Sequence, residues 1–274
     1  MTTKRMSDMD TLGMHVTVAG SGVPLLFIHG YAVDHRTFLP CEDILAASGR
    51  WQRIYLDLPG FGASPSTGVE PTADALAVLV EEFVSRNIHG PFGLVGNSFG
   101  AQIARRLISV VGDRVVGVAF ISPVVVGLES ANLPERVYPR TNRELRGRLD
   151  PVDRSLFRAN AVDQSWESWL RFERCVLPGL KAYDRRFGEA LRGAFVPACA
   201  DEFEKDRFDR PALLVTSRQD TVVGWLDQQR LLTDYSRLES VLLDSSGHNP
   251  HVDRPAMFEQ CFREWLRRVE EQLD

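Results

Sequence analysis

The hydrophobic positions of the chain fall into two alternating patterns. Seven short runs rich in Val, Ile, Leu and Phe occur at 13–20 (GMHVTVAG), 24–30 (PLLFIHG), 53–60 (RIYLDLPG), 92–98 (FGLVGNS), 115–122 (VVGVAFIS), 211–217 (PALLVTS) and 239–246 (ESVLLDSS). Most are too continuous for strands with one wet face, so they predict strands buried on both faces. Between them apolar residues recur at helical spacing: Leu76, Leu79, Val80, Phe83 and Val84; Ala104, Leu107, Ile108 and Val111; Phe258, Cys261, Phe262, Trp265, Leu266 and Val269. Strands alternating with helices predict an α/β fold with a doubly wound, mostly parallel sheet. Only Gly20-Ser21-Gly22-Val23 separates the first two runs, too few residues for a parallel crossover. That pair is therefore expected to form an antiparallel hairpin at the sheet edge.

The alternation stops after Pro123 and resumes at Pro211. The intervening stretch, rich in charge and aromatics and without a convincing strand, is too long for a structureless loop. It is expected to form a helical cap at 127–208 above the strand ends, inserted into one core domain built from 1–126 and 209–274.

Composition adds mainly exclusions. The 274 residues are 44% hydrophobic and 25% charged with a formal net charge of −5, a solubility-scale value that points to neither nucleic acid nor an acidic membrane as partner. Cys41, Cys175, Cys199 and Cys261 form no C-x-x-C pair and read as reduced structural thiols. The first twenty residues lack an apolar signal region, and no run of eighteen apolar residues occurs. The expectation is a cytoplasmic protein, monomer or homodimer. No spaced Cys/His/Asp cluster or phosphate-binding loop calls for a metal or organic cofactor.

One turn carries candidate chemistry. Gly96-Asn97-Ser98-Phe99-Gly100 places a serine between a buried strand and an amphipathic helix. Glycine two before and two after gives so sharp a turn the room it needs, and the helix start offers free N–H groups to a developing oxyanion. The competing reading makes Ser98 a helix cap. A serine hydroxyl needs a base. Among six histidines, His248 stands in the loop after the last strand, at the sheet edge where Ser98 stands. His251 is its competitor, although Pro250 starts a turn that aims its ring elsewhere. His29 and His35 could line the site, whereas His15 and His89 read as satisfied or exposed. Asp220, four residues past Thr216, is the carboxylate placed to orient the imidazole. Asp244 and Asp253 read as a strand-end and a helix-capping residue.

Four motifs agree in order and spacing: FIHGYAVDHRTF (27–38), YLDLPGFGAS (55–64), GNSFG (96–100), and RQD (218–220) with GHNPHVDRPAMF (247–258). In these the chain resembles the α/β-hydrolase superfamily, in its serine hydrolase branch, over everything but the insertion; the order Ser98, Asp220, His248 is that family's order. The resemblance implies an antiparallel N-terminal hairpin and a helical cap inserted after the sixth strand. It also implies an oxyanion hole made by the backbone N–H groups of Tyr31 and Phe99, with His29 and Gly30 shaping that loop and Asp57, Pro59, Gly60 and Gly62 structural. The expected activity is esterase-like, on a small-molecule acyl substrate, through a Ser-His-Asp triad and an acyl-enzyme. Serine at 98 argues against the dehalogenase and epoxide hydrolase branches, which use aspartate there. GNSFG is similar to the elbow of carbon–carbon hydrolases of ring-fission diketones, but Ala101 and Asn249 depart from their pattern; these enzymes are the alternative. A ligand sensor of the same fold with little turnover is the alternative from another class. Candidate substrate-binding residues are His29, Trp166, Trp169, Tyr183 and Trp225.

Overall fold

The structure is a computed structural model that describes residues 6–195 and 208–273; Cys199 lies outside them. Its strands are β1 (Val16–Ala19), β2 (Val23–Ile28), β3 (Trp51–Leu56), β4 (Phe92–Asn97), β5 (Val115–Ile121), the two-residue β6 (Arg140–Thr141) and β7 (Asp163–Gln164), β8 (Ala212–Ser217) and β9 (Leu238–Leu243). Seven of these form one sheet in the order β1-β3-β2-β4-β5-β8-β9, parallel except at β1. Strand residues alternate between two cores. Leu26, Ile28 and Leu214 join one, Leu25, Phe27, Leu213 and Val215 the other. The two-sided burial read from the sequence follows directly from this period of two.

Helices cover both faces. On one lie α2 (Ala73–Asn87), capped by the Thr72 hydroxyl, and α3 (Phe99–Val111); their buried stripes Leu76, Val80, Phe83 and Val84, and Ala104, Leu107 and Ile108, enter the first core. On the other lie α1 (Leu39–Ser48) and, at the C-terminal end, a long helix over Pro255–Glu270 that contributes Phe258, Phe262, Trp265 and Val269.

The N-terminal pair differs from expectation in one respect. β1 is the antiparallel edge strand, reversed from β2 by the short glycine turn, but its ladder partner is β3, with Val16 opposite Leu56. β3 enters between them because it pairs β2 in parallel along all six residues, a longer ladder than four-residue β1 could supply.

The insertion leaves after β5, the fifth strand of the chain and not the sixth. It contains α4 (Arg143–Arg148), α5 (Pro151–Asn160), α6 (Trp166–Cys175), α7 (Leu177–Ala182) and α8 (Arg185–Gly193). Contrary to the strand-free reading it also holds the short β6 and β7, paired in parallel through two residues each. Side-chain caps start most of its helices: Asn142, Asp150, Ser165 and Asp184 each accept a first-turn N–H. Several ties to the core reach loops at the C-terminal strand ends. Asp184 N–H donates to Gly60 O after β3, Arg136 to Thr221 after β8, and Asn249 after β9 donates to Asn160 O. The segment therefore lies over the sheet edge that carries Ser98. After β8 the chain forms the short α9 (Leu231–Asp234), then β9, then α10 (Pro250–Asp253) and α11 (Pro255–Glu270). No helix among the described residues is long and apolar enough to cross a membrane. Cys41 and Cys175 are buried and Cys261 half-buried; burial raises all three thiols, which suits the inert role read for them.

Candidate active site

Ser98 closes β4 in the left-handed region, φ 53° and ψ −115°, and α3 begins at the next residue. A non-glycine residue held there is strained and persists only where its surroundings dictate it. They do so here. Ser98 N–H donates to Ile121 O at 2.9 Å, and Ser98 O accepts from Ala101 and Val124. Glycines supply the room: a Cβ on Gly96 would meet Ala101 Cα at 2.5 Å, and one on Gly100 would collide with Ile28 O. Although Ser98 occupies the N-cap position, its hydroxyl makes no capping bond. The capping reading thus does not describe this serine.

Asp220 and His248 come together. His248 Nδ1 lies 2.9 Å from Asp220 Oδ2 and, since a carboxylate only accepts, Nδ1 carries the proton and Nε2 is left as the lone-pair nitrogen. Asp220 is fully buried, and its Oδ1 takes the N–H groups of Val222 and Val223 at 2.9 and 3.1 Å, which fixes the carboxylate plane. The two loops are stitched to one another: Ser217 Oγ donates to Ser246 Oγ, Gln219 N–H to Ser246 O, and Ser246 N–H to Gln219 Oε1. Among the described residues no hydrogen bond joins Ser98 Oγ to His248, although both stand at the same sheet edge.

The loop after β2 lies against the nucleophile. A Cβ on Gly30 would meet Ser98 Cβ and Asn97 Oδ1, each at 2.9 Å, so glycine permits the approach. His29 anchors that loop and is corrected here as a substrate-binding candidate. It is wholly buried; Leu58 N–H donates to Nε2, and Nδ1–H donates to Gly30 O at 2.6 Å. Both ring nitrogens are used, the imidazole is neutral, and burial lowers its pKa accordingly. Tyr31 extends from this loop into an aromatic cluster with Phe61, Tyr183 and Phe195, while Phe99 packs on Phe195 at 4.7 Å. The side chains of both oxyanion candidates thus bridge core and insertion.

The tryptophan candidates are not brought to the site. Trp169 packs with Phe157 and Phe172 in a cluster that the insertion shares with Val33 and Val252 of the core domain, and Trp166 lies beside it under Arg148. Trp225 stacks beneath Arg218. Aromatic spacing marked internal packing, the commoner meaning of such a stripe. Tyr183 stacks on Phe61 at 6.1 Å, at the seam between insertion and core.

His251 is buried, with Nε2 3.2 Å from Thr37 Oγ1. Burial, then the nearby His248, lowers it to about 3. Asp253 is not the expected helix cap. Its Oδ2 takes the N–H of Gly247 at 2.8 Å and of Val162 at 3.4 Å, and its Oδ1 that of Asp163 at 3.3 Å. It fastens the His248 loop to the insertion, a contact across ninety residues that no local pattern signals. Burial raises this carboxyl to about 7 against the pull of those N–H groups.

Asp57 forms a second unpredicted knot. Its oxygens take His15 Nδ1–H, His35 Nδ1–H and the N–H groups of His35 and Ala63. Burial alone would raise it, but these bonds, His35's first, hold it well below the usual carboxylate range. His15, His35 and Asp57 are metal-ligand types whose donor atoms lie within 4.8 Å of one another. Both oxygens and both ring nitrogens already serve each other, so the group acts as a brace beneath the loop after β2. His35 belongs to that brace and not to the pocket.

A sequence profile described as the alpha/beta hydrolase family matches residues 25–260. The chain belongs to the alpha/beta hydrolase family. It is 27% identical to a 2-succinyl-6-hydroxy-2,4-cyclohexadiene-1-carboxylate synthase of Klebsiella pneumoniae, covering 88% of this chain and 93% of that one. It is 24% identical to a pimeloyl-[acyl-carrier protein] methyl ester esterase of Nitrosomonas europaea, over 91% and 98%. In structure it is similar to an alpha/beta superfamily hydrolase of Oenococcus oeni, with a TM-score of 0.86, 24% identity and coverage of 96% and 98%. An esterase of Exiguobacterium antarcticum superposes with a TM-score of 0.72 at 16% identity, over 93% and 95%. The fold that the alternating pattern implies is the fold of this family.

Proposed function

We infer that the protein is a serine hydrolase cleaving a small carboxylic ester or related acyl compound. The observation that carries this reading is the Asp220–His248 pair at 2.9 Å, at the same sheet edge as a strained Ser98 whose hydroxyl is not spent on capping. His248 Nε2 takes the Ser98 proton as Oγ attacks the carbonyl carbon. The N–H groups of Tyr31 and Phe99 hold the oxyanion, and the start of α3 adds its positive end. Collapse breaks the bond to the leaving group, which departs with the proton from His248, and an acyl-Ser98 ester remains. Water, deprotonated by His248, then releases the acid and restores Ser98. The insertion would act as a lid, excluding bulk water from the acyl-enzyme. Similarity to a methyl ester esterase supports ester chemistry.

A panel of activated esters of rising acyl length, beside lactones and thioesters, tests the reading with Ser98→Ala as the blank. Turnover of an ester by the wild type at least 10³-fold above the blank is expected. Turnover equal to the blank on every member would overturn it.

A further inference from the structure

The insertion holds a cleft of about 320 Å³ between α4 and α5, and three arginines line it: Arg146, Arg154 and Arg158. Arg154 and Arg158 stand at i and i+4 on one face of α5, and Arg146 approaches from α4. Like charges so placed repel one another, and the cleft wall contains no Asp or Glu. Among the described residues none of the three pairs with a carboxylate; Asp153 is turned to Lys181, and Glu144 to Arg148. A chain with net negative charge has thus gathered uncompensated positive charge in a concave site.

The cleft has a neighbour. A much smaller crevice, about 10 Å³, has Tyr138, Arg158, Gly247 and His248 among the residues of its wall. Tyr138 and Arg158 line both spaces. The Arg158 guanidinium lies 4.9 Å from the Tyr138 ring centre, and the Tyr138 hydroxyl donates to Arg158 O, so this shared wall is held in place. The cleft therefore shares a wall with the crevice at the proposed base.

We propose that the cleft between α4 and α5 is an anion subsite that holds a carboxylate or phosphate carried by the substrate away from the scissile bond. Arginine forks match either group bidentately. The substrate class is then an anionic acyl compound, anchored by its charge at Arg146 and Arg154 on the side of the insertion that shares Tyr138 and Arg158 with the crevice at His248. This rests on the hydrolase reading for the direction of the chain, but the binding of an anion does not need it.

Titration calorimetry with adipate, inorganic phosphate and the uncharged 1,6-hexanediol is the test, on wild type and on Arg146→Gln/Arg154→Gln. Binding of adipate or of phosphate, weakened at least tenfold in the double variant and by 0.5 M salt, with none for the diol, is expected; which anion binds tighter identifies the group. Arg154→Lys should retain more affinity than Arg154→Gln. In parallel, the preference for p-nitrophenyl hydrogen adipate over p-nitrophenyl hexanoate should fall at least tenfold in the double variant, chiefly through KM. Absence of binding by either anion, or equal binding in folded variant and wild type, would overturn the subsite. Anion binding without any ester turnover would keep the subsite and count against the hydrolase reading.

Discussion

Asp253 accepts the N–H of Gly247 at 2.8 Å, one residue before the proposed base, and the same carboxyl holds the amides of Val162 and Asp163 in the insertion. Insertion and His248 loop are therefore coupled through one side chain. Asp253→Ala would leave buried N–H donors unpaired, at about 1–3 kcal/mol each. Denaturant unfolding should show a loss of several kcal/mol, and kcat on the best ester should fall about tenfold or more with little change in KM. Asp253→Asn, which keeps one acceptor, should recover part of both. A variant that is destabilised yet unchanged in kcat would uncouple Asp253 from the base.

The same carboxyl gives a signed pH effect. Its folded value of about 7 lies above the 3.8 of an ordinary aspartate, so between about pH 4 and 7 the folded chain holds a proton that the unfolded chain releases. Its contribution to stability falls as pH rises across that window. Asp253→Asn should remove that slope, read as the difference between wild-type and variant unfolding free energies at pH 5 and pH 8.

His251 works in the opposite direction. Its folded value of about 3 against 6.5 means that below about pH 6.5 the unfolded chain takes up a proton that the buried ring refuses, and stability is lost as pH falls toward 3. His251→Phe should shift the acid-unfolding midpoint, followed by tryptophan fluorescence, to lower pH. A midpoint that does not move would remove His251 from the acid transition.

Two glycines separate backbone strain from crowding. Gly49 and Gly62 share positive φ, 65° and 55°, but a Cβ at 49 meets open space while one at 62 would collide with the Asp57 carboxylate. Gly49→Ala should cost about 1 kcal/mol for the left-handed backbone. Gly62→Ala should cost about 2 kcal/mol more, because it displaces the carboxylate that braces His15 and His35. Equal costs would mean that Asp57 yields without penalty.

What is legible in the sequence is what depends on near neighbours. Periodicity locates the sheet strands and the long helices because burial on one or both faces is a local rhythm. Ser98, Asp220 and His248 can be singled out because each stands in a short motif at a strand end, and parallel strands bring their ends to one edge. The rest depends on contacts between distant segments. β3 enters between β1 and β2 by outcompeting a short strand, and nothing in either strand records this. Trp166 and Trp169 have the spacing of a pocket wall and of a packed core alike, and the surrounding helices make them a core. Asp253 sits where a helix cap would sit, but its partners lie in a segment whose placement no pattern fixes. His29 looks available until the Leu58 amide occupies its second nitrogen.

If Ser98 is a nucleophile activated by His248, the folded protein reacts with a fluorophosphonate probe, and peptide mass spectrometry locates the adduct. One adduct is expected, on Ser98, absent in Ser98→Ala and formed at least 10³-fold more slowly in His248→Ala. A folded wild type that remains unlabelled, or an adduct on any other residue, would contradict it.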